Sequence, residues 1–130
     1  MSSESRLIVS AESVMRSPPV TASFSDTASA IVEKMVTKNI GAVIVVSGGK
    51  PVGIITERDI IERVIRTHKD PNKTKATDIM SSPIISIEFN KTLTDAIKIM
   101  REKRIRRLAV TKGGNLTGII TERRILDSLV

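Results

Sequence analysis

The chain reads as an α+β protein of two gapless β-α-β-β-α repeats, and three observations predict it. Residues 14–65, slid along by 65, fall on residues 79–130 without a gap, and 18 of the 52 positions coincide. Average composition would give about three by chance. Within each copy the apolar residues change from helical to strand spacing in the same order. A Gly-Gly pair separates two strand-like runs in each copy, at Gly48-Gly49 and Gly113-Gly114. Such a duplication predicts two half-domains that bury one shared face with pseudo-two-fold symmetry. Function is then expected in two equivalent clefts between them.

Each element has a local cause. Ser10 to Met15 can form one helical turn, stopped by Pro18-Pro19. Val20 to Ser23 is expected to be a short strand, and Ser25 or Asp26 to cap the next helix. That helix carries Ala28, Ile31, Val32 and Met35 on one face, the i, i+3, i+4, i+7 stripe, repeated as Leu93, Ala96, Ile97 and Met100. Ala42 to Val46 is a continuous apolar, mostly β-branched run, so a strand covered on both faces is expected. The glycine pair turns the chain into Val52 to Ile55, completing a hairpin. Thr56 then stands at a strand-to-helix junction, where its hydroxyl can cap a helix beginning at Glu57. Ile60, Ile61, Val64 and Ile65 are the expected buried stripe of that helix, echoed by Ile125, Leu126, Leu129 and Val130. Repeat 1 thus spans 10–65, a polar linker 66–75, and repeat 2 spans 76–130.

Composition narrows the function. Hydrophobic residues make up 40% and charged residues 27% of 130 residues, enough for one compact core. No apolar run approaches the roughly 20 residues that span a bilayer. Met1 to Glu12 lack the pattern of a signal peptide, so the cytoplasm is the expected location. Without cysteine there are no disulfides, thiolate nucleophiles or zinc-cysteine sites. The one histidine, His68, lies in the polar linker, and no nucleophile-base pair or metal-ligand cluster emerges, so no enzyme is expected. The net charge of +7 is uneven: residues 14–65 carry six Lys/Arg against five Asp/Glu, and residues 79–130 ten against five. The excess gathers at Arg101, Lys103, Arg104, Arg106 and Arg107, which leaves nucleic acid, a phosphate ligand and solubility open. Two Phe and no Trp or Tyr leave little for bases to stack on.

The segment Gly53-Ile54-Ile55-Thr56-Glu57-Arg58-Asp59 ends a strand and opens a helix, where backbone N–H groups and the helix dipole favour phosphate. Thr56 offers a hydroxyl and Asp59, one turn on, a carboxylate that could accept from a ribose diol. The same Thr-x-x-Asp is also a plain capping arrangement.

With the duplication, the proline at each first strand and the glycine hairpin, this Gly-h-h-Thr-x-x-Asp segment (h being apolar) resembles the cystathionine-β-synthase (CBS) domain. A tandem pair is called a Bateman module, and the resemblance covers about Ser10 to Val130. It implies a regulatory sensor of adenosine derivatives, with Thr56 and Asp59 on the ribose and Arg58 able to face phosphate. Ile84, Ile85 and Ser86 would edge the adenine through their backbone, and Arg106 and Arg107 would reach the phosphate. In the second cleft, Val20, Thr21, Thr121 and Arg124 take the corresponding places. There Arg124 replaces the acid and Gly41 stands where repeat 2 has Arg106, so that site is expected to be degenerate.

The sequence therefore predicts a stand-alone, non-enzymatic module for AMP, ADP or ATP, with no cofactor or metal. It would work as a homodimer that reports energy or metabolite state to another protein. A nucleic-acid-associated regulator using the repeat 2 arginines, and a ligand-free dimerisation module, are the alternatives.

Overall fold

The computed structural model describes residues 9–130. In chain order the elements are α1 (Ala11–Val14), β1 (Thr21–Ala22), α2 (Ala28–Lys38), β2 (Ala42–Ser47), β3 (Lys50–Thr56) and α3 (Glu57–Ile60), which runs into a π-helical stretch, Ile61–Ile65. They continue with α4 (Ala76–Ile79), β4 (Ser86–Glu88), α5 (Leu93–Lys103), β5 (Arg107–Lys112), β6 (Asn115–Thr121) and α6 (Glu122–Ser128). Contacts divide these elements into a central unit, Val20–Ile84, and a terminal unit that joins residues up to Pro19 with Ile85–Val130.

In the central unit the sheet order is β1-β2-β3, with β1 parallel and β3 antiparallel to β2. Val43, Ile44 and Val45 are all buried, so this strand is covered on both faces as its sequence predicts. Ala28, Ile31 and Met35 press one face of α2 onto the sheet, and Val32 packs at the edge of the same core. The hairpin closes through Gly48 and Gly49 at φ +57° and +80°, a backbone conformation that only glycine adopts without cost. Beyond β3, residues 76–84 return along the free sheet edge. There Ile54 and Ser81 exchange backbone hydrogen bonds of 3.0 and 2.8 Å.

The terminal unit repeats this plan with β4-β5-β6 and α5. Its sheet edge is closed by the early part of the chain, where Arg16 and Ile119 exchange backbone hydrogen bonds of 2.8 and 3.1 Å. Buried Leu93, Ala96, Met100, Leu108, Val110 and Ile120 form the core.

Three local expectations are corrected. Neither Ser25 nor Asp26 caps α2; Thr27 does, accepting from the Ala30 N–H at 3.2 Å. Asp26 instead accepts from the Ser23 N–H at 3.0 Å and closes the preceding turn. The stripe expected after Thr56 is only half buried: Ile60 and Val64 enter the core, while Ile61 and Ile65 are 53% and 63% exposed. The helix widens into π geometry after Ile60, with the Arg66 N–H reaching the Ile61 carbonyl. A wider turn moves the later side chains off the 3.6-residue stripe. In the terminal unit Ile125 alone is fully buried, and Leu126 and Val130 face outward.

Candidate functional site

Thr56 is the last residue of β3, and the chain turns there into α3. Its N–H donates to Asp59 Oδ2 at 2.8 Å, its hydroxyl lies 3.1 Å from the same oxygen, and the Asp59 N–H returns to Thr56 Oγ1 at 3.3 Å. This is a closed capping box. Asp59 is only 9% exposed, and its other oxygen, Oδ1, accepts from the Ser81 hydroxyl at 3.3 Å with Arg63 Nε 3.8 Å away. Arg63 also donates to the carbonyls of Ile79 and Met80, at 3.1 and 2.8 Å. The carboxylate thus ties the junction to the returning segment, and Oδ1 is the oxygen not used by the cap. Arg58 lies exposed on the first turn.

In the terminal unit Arg107 opens β5, with Arg106 just before it. Both line a cavity of about 270 Å³ with Thr121, Glu122, Arg123 and Leu126. Three arginines against one glutamate give this lining a surplus of positive charge. Thr121 caps α6, accepting from the Arg124 N–H at 3.1 Å, but no acid closes the box. The Arg124 side chain turns instead to the carbonyls of Val14 and Met15. Shifted by 65, these are Ile79 and Met80, the carbonyls that Arg63 holds in the central unit. Arg124 therefore does for the terminal unit what Arg63 does for the central one.

The sequence-predicted residues fall into separate groups. Thr56, Arg58 and Asp59 share the central junction, and Arg106, Arg107 and Thr121 share the arginine cavity. Ile84 belongs to the central unit, while Ile85 and Ser86 belong to the terminal one. Regular strand begins only at Ser86, although the Ile85 carbonyl already accepts from the Ala109 N–H. Val20 and Thr21 turn their carbonyls to the Ile44 N–H and to Lys34 Nζ. Sequence reasoning missed Ser81, Arg63 and Arg123. Arg123 repeats Arg58 in the duplication, so the repeat itself could have flagged it. The contacts of Ser81 and Arg63 have no repeat signal, because Arg16 and Ser128 stand at their matched positions.

Two β-α-β-β-α units, each with a threonine-capped strand-to-helix junction, define a tandem domain pair. The CBS domain model matches the chain twice, at residues 11–66 and 76–130, and the chain belongs to this family: it is a tandem CBS module, of a domain family that is regulatory. An uncharacterized protein of Methanopyrus kandleri is 41% identical over 92% of this chain, which spans only 62% of that relative's length. A putative signal-transduction protein with CBS domains from Burkholderia ambifaria superposes with a TM-score of 0.83 at 26% identity, covering 94% of each chain. A CBS domain protein from Pyrobaculum aerophilum, solved in complex with AMP, has the same fold, with a TM-score of 0.81, 24% identity and coverage of 93% and 98%. Among the described residues, no helix is long and apolar enough to cross a membrane.

Proposed function

We propose that this CBS module binds an adenine nucleotide of the AMP, ADP or ATP class and, as a cytoplasmic homodimer without catalytic turnover, signals energy or metabolite state to another protein. The observation that carries the reading is the arginine cavity, where Arg106, Arg107 and Arg123 surround a space suited to phosphate oxygens. Asp59 supports it from the central unit: with Oδ2 engaged by the cap, Oδ1 can exchange its Ser81 hydrogen bond for a ribose hydroxyl. Ile84, Ile85 and Ser86 supply backbone groups for the base, and Arg58 a further cation. The AMP complex of a protein of the same fold is in keeping with this ligand class. Because Arg124 has replaced the second acid and is turned to the Val14 and Met15 carbonyls, one nucleotide per chain is expected.

Calorimetry with AMP and adenosine tests this directly. Arg106→Ala with Arg107→Ala should weaken AMP strongly and adenosine little, since adenosine offers no phosphate. Asp59→Ala should weaken AMP by a few kcal/mol at most, about the worth of a charge-assisted hydrogen-bond pair. A 2′,3′-dideoxy analogue should lose much less. If AMP and adenosine bind alike to the unaltered chain, the proposal fails. Unchanged nucleotide affinity with loss of duplex DNA binding would mark the arginines as a nucleic-acid surface.

A further inference from the structure

Backbone pairing builds the arginine cavity of the terminal unit. Arg107 lies opposite Thr121 in the β5–β6 ladder, and one step on the Glu122 N–H donates to the Arg106 carbonyl at 2.9 Å. Arg123 follows on the first turn of α6. Two cations at a strand end and one on the adjoining helix turn are therefore set around an acid whose place the backbone fixes. Among the described residues the ion pairs fall in the central unit, at Lys34–Asp26, Arg63–Asp59 and Arg66–Glu62. None engages Glu122 or the three arginines, so all four charges remain available to a ligand in this cavity.

The matched positions in the central unit are Gly41, Ala42, Thr56, Glu57 and Arg58, with the same backbone bond, from the Glu57 N–H to the Gly41 carbonyl at 3.1 Å. There one cation stands beside one anion. The terminal unit has two more arginines and the same glutamate, so its surplus is two positive charges rather than three. A phosphomonoester carries about −1.5 to −2 at pH 7, which this surplus balances. Each further phosphoryl group adds negative charge that the arginines no longer match and that meets the Glu122 carboxylate.

We infer that Glu122 is a specificity residue, one that sets the arginine cavity to accept a nucleoside monophosphate and to reject the triphosphate. This rests on the nucleotide reading given above and narrows it to one member of the class. Holding the monophosphate is the work of the arginines; the part of Glu122 is discrimination by repulsion.

Calorimetry of the full chain with adenosine, AMP and ATP, at low salt and without divalent cations, tests this. The unaltered chain should bind AMP more tightly than ATP. Glu122→Gln keeps the side-chain shape and the backbone bond to Arg106, and should tighten ATP roughly three- to tenfold more than AMP. The gain is modest because the residue is exposed, and it should shrink as salt screens the carboxylate. Excess Mg²⁺, which neutralises part of the triphosphate, should bring ATP towards AMP in the unaltered chain. Glu102→Gln removes the same charge from α5 outside the cavity and should leave the ratio of AMP to ATP affinity unchanged; thermal melts confirm that both variants fold. Three results would overturn the inference and leave the nucleotide reading in place: ATP bound as tightly as AMP by the unaltered chain, a ratio that Glu122→Gln does not move, or one that Glu102→Gln moves equally. AMP and adenosine binding alike would bring down that reading and this inference with it.

Discussion

Alanine at Gly118 should destabilise the terminal unit, and the structure sets the size of the effect. Gly118 is buried on β6 opposite Val110. A Cβ there would lie 2.5 Å from Met15 Sδ and 2.8 Å from the Arg16 carbonyl oxygen. The methionine can swing aside, but the carbonyl cannot, because Arg16 exchanges two backbone hydrogen bonds with Ile119. Relief must come by shifting the early segment off the sheet edge. Overpacking of this kind costs about 1–3 kcal/mol. The lower entropy of the unfolded alanine chain returns about 0.4–1 kcal/mol. A net loss of about 1–2 kcal/mol follows, a shift of roughly 0.5–1 M in the urea midpoint for an ordinary slope. Gly53→Ala is the internal comparison: its Cβ would meet Met80 Sδ at 2.6 Å but the Ser81 carbonyl only at 3.1 Å, so it should lose less. Urea unfolding followed by circular dichroism measures both. Gly118→Ala as stable as the parent, or Gly53→Ala as the worse of the two, would refute the argument.

Two further outcomes are expected. Arg124→Ala removes the side-chain grip on the Val14 and Met15 carbonyls but keeps the backbone bond to Thr121, so it should cost about 1 kcal/mol or less, given its exposure, read from the same urea curves. Unchanged stability would show that the grip contributes nothing. Asp26 and Asp95 are held below the ordinary aspartate value of 3.8, chiefly by hydrogen bonds from the Ser23 and Thr92 backbone N–H groups. Their contribution to stability is complete above that value and is lost as pH falls through the lower folded values. Asp26→Asn with Asp95→Asn should therefore flatten the stability decline below about pH 3.8 in a pH series of unfolding curves. An equally steep decline would place the acid sensitivity in other groups.

Much of this fold is legible in the sequence because the duplication marks each element twice. Val43 to Val45 and the stripe from Ala28 to Met35 are buried because a continuous β-branched run and a 3.6-residue period each have one physical solution. The misread stripe has an equally local cause. Ile61 and Ile65 satisfy helical spacing on paper, but the helix widens at Ile61 and periodicity carries no sign of that change. Asp26 outranks Thr27 as a cap by propensity, yet a turn one residue earlier claims its carboxylate. At the candidate site, Thr56 and Asp59 stand together as their spacing requires. What spacing could not reveal is that Asp59 also holds Ser81, 22 residues away, or that Arg124 grips carbonyls about 110 residues back. Partners of that kind are set by tertiary packing, and a single sequence leaves no trace of them.

The crossing of segments between the units also sets a timetable for synthesis. The central unit is one uninterrupted stretch, Val20–Ile84, and can close once residue 84 has emerged. The terminal unit cannot. Its early segment waits for β6 and α6, since Ser17 bonds the Thr117 carbonyl and Arg124 reaches back to Val14. Until then Met15 and the open backbone of Arg16 have no place in a sheet, so among the described residues those made first are among the last to settle. Loop closure over about a hundred residues is slow compared with local pairing. The rate at which the terminal unit completes should therefore follow the return of residues 9–19 rather than the folding of α5 or the β5–β6 hairpin.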